Sequence, residues 1–343
     1  MRMNRGEAVL AAREWANREG ARLPGFCGAY LSGSVLETAD DAVWPDTSDV
    51  DVVVVLRSPS DSPGKFTYQG VLLEVTCIER SAFDALEHIL TTHYLAYALQ
   101  ADGILCDPEG WLAPLHRAVA EQFAAPCWVS RRCNGFIDSI RRSATAFDPS
   151  APYPERVNSW LFPTGISTFP IISAGLKNCT VKKRYVQARR VLAQYHMEDF
   201  YPRLLLPLTG DAFDAACLPM HLRELAVTYD LASASSGPSK AYRFRADITP
   251  QARSISIGGI EELLASPCPQ DAVFWMGATF ARCQIILRLD DAQKAAARLP
   301  AFRRFMADLG LRDGGDFESR FASLLAFLPH VQKVCEAILQ TRA

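Results

Sequence analysis

The chain opens on a helical period. In "MRMNRGEAVLAAREWANREG" the apolar positions Ala8, Leu10, Ala11, Trp15 and Ala16 mark an amphipathic helix. "FCGAYLSG" (26–33) then predicts a short strand, and "SVLETADD" a turn or helix start. "DVVVVLR" (51–57) is an unbroken β-branched run, as expected of a strand covered on both faces. Beyond the loop "SPSDSPG", the stretch "KFTYQGVLLEVTCIE" reads as two strands about Gln69-Gly70, the second from Val71 to Ile78. Ser81 is expected to cap a helix, "AFDALEHILTTHYLAYALQ". "DGILCDPEG" gives a short strand with an Asp-Pro turn, and "WLAPLHRAVAEQFA" a further helix.

From Pro126 the texture changes to long amphipathic stretches: 128–147, 158–176, 180–197, 211–234, 271–287, 291–309 and 316–340. Breaks at "FDPSAPYPE" and "SASSGPSK" separate several of them, and 243–259, without a clear period, is expected to be an irregular connection. The fold class is therefore α+β: a mixed α/β domain with a central mixed sheet over residues 1–125, followed by a mainly α-helical domain over 126–343. A length of 343 residues suits two domains.

Composition adds two points. About half of the chain is hydrophobic (49%), and no apolar run approaches the ~20 residues of a membrane helix. The amino terminus lacks a signal-peptide core, so no membrane partner and a cytoplasmic location are expected. The net charge of −2 conceals an asymmetry: residues 1–125 carry 9 Lys/Arg against 18 Asp/Glu, and residues 126–343 carry 27 against 20. An acidic first part and a basic second part suit cations on one side and phosphates on the other. The ten cysteines form no C-x-x-C and are expected to be buried reduced thiols, none set with a histidine at zinc spacing. The six histidines are read as isolated and structural.

The chemistry concentrates in "SGSVLETADDAVWPDTSDVDVVVVL" (32–56). Side chains alternate along a strand, so Asp49 and Asp51 point the same way at the mouth of the apolar run. Two such carboxylates would share divalent cations, since hard ions such as Mg²⁺ take oxygen ligands. Glu74 is the lone acid within "GVLLEVTCI", and if that strand pairs beside 50–56 it joins the aspartates on one face. Gly33 allows close approach of backbone to a ligand and Ser34 adds a hydroxyl, which suits the phosphate end of such a site.

The order Gly33-Ser34, Asp49-Val50-Asp51 and then Glu74 resembles the nucleotidyltransferase superfamily that includes polymerase β. An α/β domain followed by helices is similar to the antibiotic nucleotidyltransferases acting on aminoglycosides and lincosamides. The resemblance covers roughly residues 25–125 and implies an enzyme that transfers a nucleoside monophosphate, AMP from ATP in the first instance, to a hydroxyl of a small molecule. It implies two Mg²⁺ ions on Asp49 and Asp51, with Glu74 as a metal ligand or proton acceptor, and Gly33 and Ser34 on the triphosphate. Two departures stand out. Fourteen residues separate Ser34 from Asp49, a few more than usual, and "VLETADD" stands where Arg and Gly commonly follow the G-S pair.

In the basic half, Thr180 is expected to cap a helix on which Lys183 and Arg190, a heptad apart, face the triphosphate. A protein or RNA acceptor is the nearest alternative, and nucleic acid is disfavoured by the net charge and the lack of a basic, aromatic-interleaved stretch. A non-catalytic nucleotide sensor is the alternative of a different class.

Overall fold

A computed structural model of the chain describes residues 3–312 and 314–342. They form two compact units, residues 1–132 with 176–180 and residues 133–175 with 181–343. The expected boundary at 125/126 gives way to one inside a continuous helix, α5 (Pro126–Thr145). Its first two turns belong to the first unit because the buried Arg132 donates to the carbonyls of Leu90 and Phe123, at 2.7 Å each. Residues 176–180 join that unit too, with the Asn178 N–H donating to Glu37 Oε1 at 3.1 Å.

The first unit is α+β. Helix α1 (Arg5–Arg18) starts at a reciprocal capping box between Asn4 and Glu7. The strands are β1 (Phe26–Ser32), β2 (Val50–Leu56), β3 (Gly64–Tyr68), β4 (Val71–Glu79) and β5 (Ile104–Cys106). They form one mixed sheet in the order β3-β4-β2-β1-β5, in which β2 and β4 run parallel and the other neighbours antiparallel. Both faces are covered. Val50, Val52, Val54 and Leu56 pack with Ala8, Ala12 and Trp15 of α1, whereas Val53 and Val55 pack against α2 (Leu86–Thr91), α3 (His93–Gln100) and α4 (Leu112–Gln122). The continuous apolar run of β2 follows from this double burial.

Three local expectations are corrected. Leu10 of α1 is exposed rather than inward. The helix expected over 82–100 is a 3₁₀ turn (Arg80–Phe83) followed by α2 and α3, divided at Thr92, whose backbone is extended. Ser81 caps nothing there, since the α2 cap position is Ala85 without a side-chain bond.

The second unit is helical: the rest of α5, then α6 (Tyr153–Ile166), α7 (Phe169–Ala174), α8 (Arg184–Gln194), α9 (Tyr201–Thr209), α10 (Leu218–Ser233), α11 (Gly259–Leu264), α12 (Val273–Asp290), α13 (Ala292–Asp308) and α14 (Gly314–Arg342). Helix α12 is buried at every position from Val273 to Leu287, mostly apolar residues, with Arg282 paired to Asp247 at 2.7 Å. Its Phe280 stacks on Phe302 and Phe305 of α13. Just before it, the buried Asp271 accepts from Arg189 at 2.9 Å and from the Tyr201 hydroxyl.

By length and composition Pro269–Asp290 and Gly315–Arg342 both meet the condition for a membrane span, against expectation. The first is the buried central helix. The cysteines, all expected to be buried, divide: Cys27, Cys133, Cys283 and Cys335 are buried, five are partly buried and Cys127 is exposed.

Candidate active site

The parallel pairing of β2 with β4 sets Asp51 opposite Glu74, and the antiparallel pairing of β4 with β3 sets Glu74 opposite Lys65. On the other side, Ser32 at the end of β1 lies opposite Asp51. Residues in one such row share a face of the sheet. This is the face of Val53 and Val55, because Val50, Val52, Leu73 and Val75 occupy the opposite one. Asp49, two residues before Asp51, joins the row from the loop end. Donor oxygens of Asp49, Asp51 and Glu74 all lie within 4.8 Å of one another, as the sequence pattern implied.

The structure adds a fourth member. Lys65 sends its ammonium between Asp49 Oδ2 and Glu74 Oε2, the latter at 2.7 Å. Its side chain is only 7% exposed, against 16% for Asp49 and 34% for Glu74. Electrostatics then divides the acids. Burial works to raise the pKa of Asp49, but the Lys65 charge and hydrogen bond outweigh it and hold the carboxyl below its ordinary value. Asp51 goes the other way: burial, then the charges of Asp49 and Glu74, push it well above the ordinary range in spite of Lys65.

The donor set suits a hard divalent cation, being all oxygen and converging from three points. With every carboxyl ionised, three acids and one ammonium leave an excess of negative charge that one divalent ion would neutralise. A cation using Asp49 Oδ2 or Glu74 Oε2 competes with Lys65 for those atoms.

Gly33 is positioned by a steric requirement. Its φ is +73°, in the region that favours glycine, and a β-carbon there would overlap the Asp51 carboxylate. Ser34 is exposed in the 3₁₀ turn Gly33–Glu37, and its carbonyl accepts from Thr38 Oγ1 at 3.1 Å. The long gap that follows is fastened to the start of α1. Asn4 and Val43 form a β-bridge, the Trp44 N–H donates to Met3 O at 2.9 Å, and Arg5 pairs with Asp40. Trp44 itself is buried beneath the sheet with α1.

Lys183 and Arg190 belong to the second unit. The helix expected from Thr180 begins at Arg184, with Lys183 in the cap position and Val181 exposed ahead of it. Lys183 pairs with Glu262 at 2.6 Å, and Arg190 is exposed. Tyr185, Ala188, Val191 and Leu192 are buried, which fixes the inward face of α8.

Sequence reasoning missed Lys65, although the signal was present. A two-residue turn at Gln69-Gly70, both with positive φ (47° and 81°), pairs Tyr68 with Val71 and so carries Lys65 opposite Glu74. No protein-family model matches the chain, and no curated protein is similar to it.

Proposed function

We propose that the chain is a Mg²⁺-dependent nucleotidyltransferase, moving a nucleoside monophosphate, AMP from ATP in the first instance, to a hydroxyl of a small molecule. The observation that carries this reading is the convergence of Asp49, Asp51 and Glu74 beside a glycine packed against Asp51. An α+β unit with this row of acids, followed in sequence by a helical unit, agrees with the architecture implied by the resemblance to antibiotic nucleotidyltransferases.

Asp49, Asp51 and Glu74 would hold the divalent ions. When bound, these supply charge neutralisation and Lewis acidity at the α-phosphate. The chain's own groups do the rest. Gly33, lacking a β-carbon, leaves Asp51 its position, and Ser34 offers a hydroxyl to the terminal phosphates. The acceptor oxygen bonds to the α-phosphorus, the bond to the bridging oxygen breaks, and pyrophosphate leaves with that electron pair. Glu74, 34% exposed, accepts the proton of the attacking hydroxyl. Burial of the acid cluster favours such electrostatic work over the same groups in water.

A second reading, a non-catalytic nucleotide sensor, draws on one observation: the Lys65 ammonium already bridges two of the three carboxylates. One experiment separates the two. Labelled nucleoside triphosphates, each of the four with Mg²⁺, are offered with aminoglycosides, lincosamides and tRNA, and transferred label and pyrophosphate are read. Transfer to a small molecule that Asp51→Asn lowers by at least about 10²-fold supports the enzyme. Undiminished turnover in that variant removes the site assignment. Mg²⁺-dependent ATP binding without transfer to any acceptor favours the sensor.

A further inference from the structure

The second unit brings together three side chains that the sequence shows as isolated. Cys217 stands at the cap position of α10 and His221 lies one turn on, the i and i+4 spacing that puts two side chains on one helix face. Asp308, the last residue of α13, meets them there. Donor atoms of Cys217, His221 and Asp308 all lie within 4.8 Å of one another, and His221 Nε2 is 2.7 Å from Asp308 Oδ2. A tetrahedral ion with metal–nitrogen and metal–oxygen bonds near 2.05 Å and a metal–sulfur bond near 2.3 Å spaces its ligands by about 3.3–3.6 Å. The 4.8 Å limit on the cluster admits that spacing, and the His221–Asp308 contact at 2.7 Å opens by under about 1 Å to reach it.

Two further features bear on a ligand. His221 is fully buried against the edge of Phe305, and its Nδ1 has no hydrogen-bond partner among the described residues. Nε2 is the nitrogen turned to Asp308, and an ion bound there takes the place of its proton while Nδ1 carries the ring proton. In addition, Cys217 and Asp308 both line a cavity of about 420 Å³ that also reaches Asp211, Asp214 and Arg312. His221 closes the back of the cluster and the cavity opens its front.

We propose that Cys217, His221 and Asp308 form a binding site for a transition-metal ion of the zinc class, with a fourth, exchangeable position facing the cavity. One thiolate, one imidazole and one carboxylate suit Zn²⁺, not the hard Mg²⁺ that an all-oxygen set takes. Bound there, the ion ties the start of α10 to the end of α13. A nucleophilic Cys-His-Asp triad is a poorer account, since the imidazole would have to engage the acid and the thiol through its two different nitrogens. Among the described residues, Nε2 alone is engaged. The site is independent of the acid cluster on the sheet and stands or falls separately from nucleotidyl transfer.

The test is titration of the chelator-treated full chain with Co²⁺, a spectroscopic stand-in for Zn²⁺. The expected result is one tightly held equivalent with a cobalt–thiolate charge-transfer band and the visible intensity of a four-coordinate ion, both discharged by Zn²⁺. The band persists in Asp51→Asn and disappears in Cys217→Ser. Asp308→Asn, which changes a side chain 41% exposed and so spares the fold, weakens binding by about 10-fold or more. Absence of a thiolate band with Co²⁺ in excess, its survival in Cys217→Ser, or unchanged affinity in Asp308→Asn overturns the proposal. If Cys217→Ser fails to fold, the Asp308→Asn titration decides alone.

Discussion

Replacing Lys65 by Met keeps most of the apolar stem of the side chain and removes the ammonium between Asp49 and Glu74. Breaking a buried pair by deleting one partner costs about 3–5 kcal/mol. Glu74 is a third exposed and Asp49 partly so, and water screens the stranded charges, which places the metal-free loss near the low end, about 3 kcal/mol. If a divalent cation uses the same carboxylates, it replaces the missing ammonium. At 100 times its Kd, an ion that binds only the folded chain adds about 2.7 kcal/mol. The wild type gains less, because there the ion must displace Lys65. Urea unfolding at neutral pH, in EDTA and in Mg²⁺ at that multiple of the variant's Kd, reads both quantities. The expected gap between variant and wild type is about 3 kcal/mol in EDTA and under about 1 kcal/mol in Mg²⁺. A gap of the same size in both conditions would refute the argument that lysine and cation share one set of oxygens.

Gly33→Ala forces a β-carbon into a left-handed backbone and onto the Asp51 carboxylate. The expected loss is about 1–3 kcal/mol of stability together with weakened Mg²⁺ binding by calorimetry, and unaltered affinity would show that Asp51 does not depend on this glycine. In the second unit, Asp290 accepts from the Ser239 N–H and hydroxyl and from the Ser235 hydroxyl. Burial acts to raise its pKa, but these bonds prevail and hold it below the ordinary value. A depressed folded pKa stabilises the protein above the unfolded value, about 3.9, and that contribution fades as pH falls through the folded one. Asp290→Asn should therefore lose stability at pH 7 and show a shallower acid limb in Tm against pH, and an unchanged limb would count against these bonds.

What the sequence made legible follows from the range of each signal. The apolar period of β2 and the spacing of Asp49 and Asp51 are local facts, and both elements stand where the pattern put them. Breaks set by tertiary contacts were not legible. The extended backbone at Thr92 interrupts a good helical period so that α2 and α3 pack separately on the sheet, and the unit boundary at Arg132 depends on carbonyls 42 and 9 residues away. The long gap after Ser34 read as an enlarged turn, whereas pairing of Val43 with Asn4 and burial of Trp44 make it part of the scaffold that holds the amino terminus against the sheet. Lys65 lies between these cases. A hairpin turn at Gln69-Gly70 fixes the partner of every residue on both strands, so the lysine opposite Glu74 was derivable from the turn alone. Chemistry-bearing acids draw the eye to their own strand. The residue that sets their charge stands across the ladder, and counting back from the turn is what finds it.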